Sequence, residues 1–152
     1  MNDPKAHVHE YQQTNVHHDH GQHHSDDHDH TNDYDNEFDI YPQEFLKILK
    51  DGLSCNSKII DVREAWEFEE VKIEGSLFIP LQQLYRQSKE LSTEYIYYVI
   101  CSQGFRSSYA TAYMLSLGYE NVYNIQTGLI GIIEYLAQQK LSHPVWLIKE
   151  SK

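Results

Sequence analysis

The sequence predicts an α/β domain, a three-layer sandwich in which helices cover both faces of a five-stranded, mostly parallel sheet. Three observations predict it. Short apolar runs at 38–41, 58–62, 75–80, 95–100 and 122–125 alternate with stretches whose apolar residues recur at helical spacing, and that alternation gives parallel strands joined by crossover helices. The run Tyr95-Ile96-Tyr97-Tyr98-Val99-Ile100 has no breaker and no polar alternation, as expected of a strand buried on both faces. Cys101 follows at once, with Gly104, Arg106 and a helix start close behind; open α/β sheets place their active sites at that end of a strand.

Each element has its own signals. Phe38 to Tyr41 reads as a first edge strand, and Pro42 suits the first position of a helix carrying Phe45, Leu46, Ile48 and Leu49 until Gly52 stops it. Lys58 to Val62 gives a second strand, Glu64 to Val71 a short helix, and Gly75 to Pro80 a third strand. A helix over Leu81 to Gln87 leads to the central strand at 95–100. Ser107 or Ser108 can cap the next helix, on which Ala110, Ala112, Met114, Leu115 and Leu117 run up to Gly118. Val122 to Ile125 is the fifth strand. The last helix spans 129 to about 139, with Ile130, Ile133, Leu136 and Ala137 expected to face inward.

The chain has 152 residues, one domain's worth, and a formal net charge of −11. That charge argues against nucleic acid and anionic membrane surfaces as partners. It is unevenly spread: residues 1–37 hold nine acidic residues against one lysine and nine of the ten histidines. With almost no large aliphatic side chains, this stretch cannot bury enough surface to offset its ordering entropy. It is expected to be a disordered tail, with residues 38–152 forming the domain. Its His-Asp clusters, such as His17-His18-Asp19-His20, suit weak transition-metal binding; no dedicated metal centre and no cofactor are expected. Two well-separated cysteines, no long apolar stretch and no basic-then-apolar start fit a reduced, cytoplasmic setting.

The loop after the central strand carries the chemistry. A short strand-to-helix turn can aim several backbone N–H groups at one spot, and the positive end of the helix dipole faces the same spot. Gly104 permits backbone geometry closed to other residues, and Arg106 adds a permanent cation. In such a setting a thiol pKa falls from about 8.5 to between about 3.5 and 7.5. Cys55, in a turn-like segment with no charged or helical setting, reads as a bystander, the other reading being a thiol that resolves Cys101.

Asp61-Val62-Arg63-Glu64, Trp66-Glu67, Ile73-x-Gly75-Ser76 and Ile79-Pro80-Leu81 come first. Cys101-x-x-Gly104-x-Arg106-Ser107, Ala110, Ala112, Gly118-Tyr119 and Val122-Tyr123-Asn124 follow. This ordered set resembles the rhodanese-like (sulfurtransferase) family over about residues 38–140. The resemblance implies a cysteine that carries sulfane sulfur as a persulfide. Cys101 is then the nucleophile toward a donor such as thiosulfate or another persulfide, and a small-molecule or protein thiol, or cyanide in vitro, is the acceptor. The persulfide would lie in the N–H groups from about Gln103 to Ser107, Gly104 among them. Ser102 and Gln103 would orient the donor, Arg106 would hold its charge, and Phe105 would shield the pocket or meet a partner. Arg63 is expected to tie the end of its strand to nearby carbonyls. Departures at Lys72, Thr127-Gly128 and Gly131-Ile132 bear on substrate preference. The rivals are a Cys-x5-Arg phosphatase or arsenate reductase, and a non-enzymatic sulfur-handling, metal-handling or binding module. Here the spacing is Cys-x4-Arg and Ile100 precedes the cysteine, a smaller nest that suits one sulfur better than a tetrahedral oxyanion.

A chain beginning at Glu37 is expected to keep its Tm within a few degrees and its full turnover; a cooperative loss of either, read by thermal melting and steady-state assay, would show that the first segment docks on the domain.

Overall fold

A computed structural model describes residues 36–150. The acidic, histidine-rich segment lies almost wholly outside the described residues, so the expected tail and its metal binding fall there too. Five parallel strands form the main sheet: β1 (Asp39–Ile40), β2 (Ser57–Asp61), β4 (Leu77–Phe78), β5 (Ile96–Ile100) and β6 (Val122–Ile125), in the order β1-β6-β5-β2-β4. The β-branched and aromatic run of β5 takes the middle place, where both strand edges are paired and both faces are covered. Its register sets Asp61 of β2 beside Ile100 and Asn124 of β6 beside Val99. The C-terminal ends of three neighbouring strands therefore converge on Cys101.

The period-2 alternation of the strands sorts their side chains into two cores, one on each face. Ile59, Tyr98, Ile100 and Ile125 join Phe45 of α1 (Pro42–Asp51) and Leu129, Ile132 and Leu136 of α5 (Gly128–Gln138). Ile60, Tyr97, Val99, Cys101 and Val122 join Leu84 of α3 (Leu81–Gln87) and Ala110 and Met114 of α4 (Phe105–Ser116). Cys101 thus continues the alternation of β5 and points toward α4. Two turns follow the sequence signals closely: Pro42 opens α1, and Gly52, at φ +89°, closes it.

Three details differ from the expectation. Helix α4 begins at Phe105, two residues early, with Gly104 at φ +92° as its N-cap, so Ser107 lies inside the first turn. Helix α5 presents Leu129, Ile132 and Leu136 to the core, while Ile130 and Ala137 are exposed and Ile133 is half-buried. Its rotation is fixed at its start, where the amides of Leu129 and Ile130 dock on Cys101 and Ser102. Helix α2 (Ala65–Glu70) stops before Val71, which opens β3 (Val71–Ile73); this strand pairs antiparallel with β7 (Leu147–Lys149). Lys72 lies on β3 with its ammonium 4.8 Å from the centre of the Phe68 ring.

Arg63 has the structural role expected of it. Its guanidinium donates to the Asp61 carboxylate and to the carbonyls of Glu67 (3.2 Å) and Val71 (2.6 Å), tying the end of β2 to α2 and β3. Both members of the ion pair are almost wholly buried. Among the described residues no helix is long and apolar enough to cross a membrane.

Removing Arg63 would strand a buried carboxylate, at a cost of roughly 3–5 kcal/mol. Arg63→Met should lower Tm sharply, and Arg63→Met with Asp61→Asn should lose less than the two single losses combined; thermal melts of the four proteins check the coupling.

Candidate active site

Cys101 sits at the bottom of a cavity of about 240 Å³ lined also by Glu67, Ser102, Gln103, Phe105 and Arg106. Its residue is 1 % exposed, so a reactant must reach it end-on. Two backbone amides at the start of α4 point at the sulfur, Gly104 N–H at 3.1 Å and Ser107 N–H at 3.4 Å. The helix dipole reinforces them, since their partial positive charges face the atom that would carry negative charge.

A second helix start holds the loop from behind. The first amides of α5 donate to the Cys101 and Ser102 carbonyls, Leu129 N–H at 2.9 Å and Ile130 N–H at 3.0 Å. In a trans peptide the N–H points opposite to the C=O, so pinning these carbonyls toward α5 turns the amides of Ser102 and Gln103 away from it. Contact is close enough to dictate sequence. A Cβ on Gly128 would stand 2.5 Å from the Cys101 carbonyl oxygen, and one on Gly104 would stand 2.9 Å from the Thr127 amide nitrogen. A Cβ on Gly131 would collide with the Thr127 hydroxyl, so the threonine and this glycine are matched.

Behind the sulfur runs a buried polar chain. The Ser107 hydroxyl lies 3.2 Å from Sγ and 2.5 Å from Asn124 Oδ1, and Asn124 Nδ2 donates to Asp39 Oδ1 at 2.9 Å. An ionised Asp39 can only accept, so Asn124 turns its amide nitrogen to it and its oxygen to Ser107. Ser107 then donates to Asn124, and its oxygen accepts from a protonated Cys101 thiol. When the thiol ionises, the one Ser107 proton can turn to the sulfur instead.

At the mouth, Arg106 is engaged rather than free. Its Nη1 donates to Glu67 Oε2 at 2.6 Å and its Nη2 to Glu67 Oε1 at 2.7 Å, a bidentate pair. Oε1 also accepts from Ser102 Oγ at 2.7 Å, and Oε2 from the Glu64 N–H at 2.9 Å, where Glu67 closes a capping box at the start of α2. The Arg106 hydrogen bond is the main reason that the Glu67 carboxyl is held down at about 2, against burial and with help from Ser102. Glu67 in turn raises the Arg106 pKa.

The expected site residues are therefore gathered at one place in different postures. Gly104 and Ser107 face the sulfur through their amides, and Ser102 is turned to Glu67. Gln103 is exposed on the cavity wall, and Phe105 stands 70 % exposed at the rim. Cys55 is exposed in the loop before β2, at the opposite end of the sheet. The four-residue rise from Ser57 to Asp61 alone separates the two ends by roughly 13 Å, beyond the ~7 Å Cα reach of a disulfide. Within one chain Cys55 cannot resolve Cys101. The sequence reading gave no role to Glu67, Asn124 or Asp39. The capping-box spacing from Glu64 to Glu67 is the one local signal among them, and it speaks of a helix start.

A family model described as rhodanese-like domain matches residues 41–134. The candidate sulfur carrier protein YrkF of Bacillus subtilis is 32 % identical over 90 residues, which are 58 % of this chain and 49 % of that one. The uncharacterized protein YqhL of the same organism is 33 % identical over 93 residues, 59 % of this chain and 74 % of that one. The chain thus spans about half the length of the first of these relatives. Among solved structures, a rhodanese-related protein from Thermoplasma volcanium superposes with a TM-score of 0.60 at 27 % identity, covering 74 % of this chain and 98 % of that one.

A carboxylate whose folded pKa is depressed stabilises above its unfolded value and loses that contribution as pH falls through the folded one. The stability difference between the natural chain and Glu67→Gln should therefore be full above about pH 5, shrink below the ordinary value of 4.5 and fade toward about 2; denaturant titrations across that range read it directly.

Proposed function

The chain belongs to the rhodanese-like domain family, and on that footing we propose that it is a sulfurtransferase in which Cys101 carries sulfane sulfur as a persulfide. The observation that carries this reading is the Cys101 sulfur at the bottom of its pocket, faced by the Gly104 and Ser107 amides. The Cys101 thiolate attacks the outer sulfur of a donor such as thiosulfate. A new S–S bond forms, the donor's S–S bond breaks, and the bonding pair leaves with sulfite. The persulfide is an anion, and amides aimed at its base stabilise it without reorganising. An acceptor thiolate then attacks the outer sulfur, and Cys101 departs as thiolate. Splitting the transfer at a covalent intermediate predicts ping-pong kinetics.

Ser107 gives the second step a place to settle charge, because its hydroxyl can turn from Asn124 to the regenerated thiolate. The loop spacing favours sulfur over phosphate. With four residues between Cys101 and Arg106, and with Arg106 bound to Glu67, the pocket offers a tetrahedral oxyanion neither the span nor a free guanidinium. The candidate sulfur carrier among its relatives supports the same class of chemistry. The physiological setting is proposed to be cytoplasmic, with a small-molecule or protein thiol as acceptor.

Thiosulfate:cyanide transfer should vanish in Cys101→Ser and persist in Cys55→Ser, and intact mass after thiosulfate should show one added sulfur lost only in the Cys101 variant. Full activity in Cys101→Ser would refute the assignment. Hydrolysis of an aryl phosphate should stay at background; robust Cys101-dependent turnover would overturn the loop-length argument.

A further inference from the structure

Sulfane sulfur reaches such a site on donors of different charge. Thiosulfate is a dianion, whereas an organic persulfide with an uncharged body carries a single negative charge. A pocket built for the dianion should offer a cation beside the thiolate that is free to meet it. Among the described residues the one cationic side chain lining the Cys101 pocket is Arg106, and each of its terminal nitrogens donates to Glu67, which pairs its charge. Glu67 is itself saturated, with Ser102 and the Glu64 amide completing its shell. Its side chain is 10 % exposed against 34 % for Arg106, so the carboxylate is set into the wall and cannot swing aside cheaply. The chain as a whole is acidic, at −11, and adds no attraction for an anion.

Beside the Cys101 pocket, whose rim carries Phe105, lies a more apolar hollow of about 200 Å³. It shares Glu67 and Ser102 with that pocket and is walled by Trp66, Leu129, Ile130 and Ile133, with Arg63 and Glu70 as its other charged residues. Trp66, Phe105 and Ile130 are all exposed there. Such a surface suits an organic body, and its one cation, Arg63, is buried and already paired with Asp61.

We infer that Glu67 is a specificity-determining residue: by occupying Arg106 it leaves the Cys101 pocket with no net charge, so that the site takes sulfane sulfur from a monoanionic organic persulfide in preference to thiosulfate. This rests on the sulfurtransferase reading above. The step balances without an oxidant. The Cys101 thiolate attacks the outer sulfur of R–S–S⁻, an S–S bond forms on Cys101 and another breaks in the donor, and the electron pair leaves as R–S⁻. One negative charge stays on the enzyme persulfide and one departs, as one each arrived. A thiolate leaving group needs no cation of its own in the pocket, since its organic body can rest against the apolar hollow.

The test uses the full chain, natural and Glu67→Gln, with thiosulfate and 2-hydroxyethyl persulfide as donors. Glutamine keeps the length of the side chain and an oxygen for the Glu64 amide, but frees the charge of Arg106. The ratio of kcat/KM for thiosulfate to that for the persulfide should rise by about two- to fivefold in Glu67→Gln, the upper range for a partly exposed charge contact. A ratio that is unchanged or lower in a folded variant would overturn the inference, since it would make Glu67 merely an anchor for Arg106. Should Glu67→Gln fail to fold, the natural chain still decides. Raising ionic strength from about 0.01 to about 0.15 M shortens the Debye length from about 30 to about 8 Å. Thiosulfate kcat/KM should then stay level or rise; a steep fall would reveal a free pocket cation and overturn the inference. Mass gain of one sulfur on Cys101 separates the two layers of the argument. If neither donor adds it, the sulfurtransferase reading fails and takes this inference with it. If both add it and the ratio does not move, only the inference fails.

Discussion

The carbonyls of Cys101 and Ser102 are held by the first amides of α5, and the rest of the site depends on that contact. A backbone loop has no side chain to enforce its posture, so its peptide planes turn wherever their hydrogen bonds lead. With the carbonyls fixed on one side, the start of α4 can bring the Gly104 and Ser107 amides onto the sulfur. Two helix starts thus meet one four-residue loop from opposite sides, one receiving its oxygens and the other facing its thiol. The glycines at 104 and 128 are what this closeness demands, because any Cβ there would enter the backbone of the facing segment.

The parallel sheet supplies the frame for that meeting. Every strand ends on the same side, so the polar residues at the ends of β2, β5 and β6 collect around one point while the apolar residues before them are sealed in two cores. The buried polar groups there are partnered. Asp61 has Arg63, and Asn124 bridges Ser107 to Asp39. A satisfied polar chain beneath a thiol is rigid in geometry and yet can redirect a proton by rotating one hydroxyl. The pairing of Arg106 with Glu67 follows the same rule at the mouth. A carboxylate and a guanidinium brought close in a half-buried cleft bind each other before either meets a reactant, and the cleft is left neutral.

Fold was largely legible in the sequence, and the reasons are local. The run from Ile96 to Ile100 is apolar on both faces because both faces are buried, and Pro42 and Gly52 bracket α1 because their backbone preferences suit a helix's start and stop. The loop from Cys101 to Ser107 could be placed at the end of a strand from its neighbours alone. Less legible was the rotation of α5. Ile130, Ile133, Leu136 and Ala137 and the set Leu129, Ile132 and Leu136 are both acceptable apolar stripes that share Leu136, and the choice between them was made where the helix docks on the loop. The antiparallel pair of β3 and β7 brings together segments more than seventy residues apart, and three-residue strands carry too short a pattern to announce themselves.

By itself, then, the sequence determined that a cysteine stands at the head of a buried strand in a loop opening onto a helix, because hydrophobic period, glycine and helix start are properties of neighbouring residues. Only the tertiary structure decided what surrounds that cysteine. Glu67 reaches Arg106 across 39 positions and Asn124 reaches Asp39 across 85, and a pairing of charges at such distances in the chain leaves no mark on either residue's neighbours. The same arginine that reads in sequence as a free cation beside a thiolate is, once the chain is folded, half of an ion pair, because strand order and the start of α2 set a carboxylate within 2.6 Å of it.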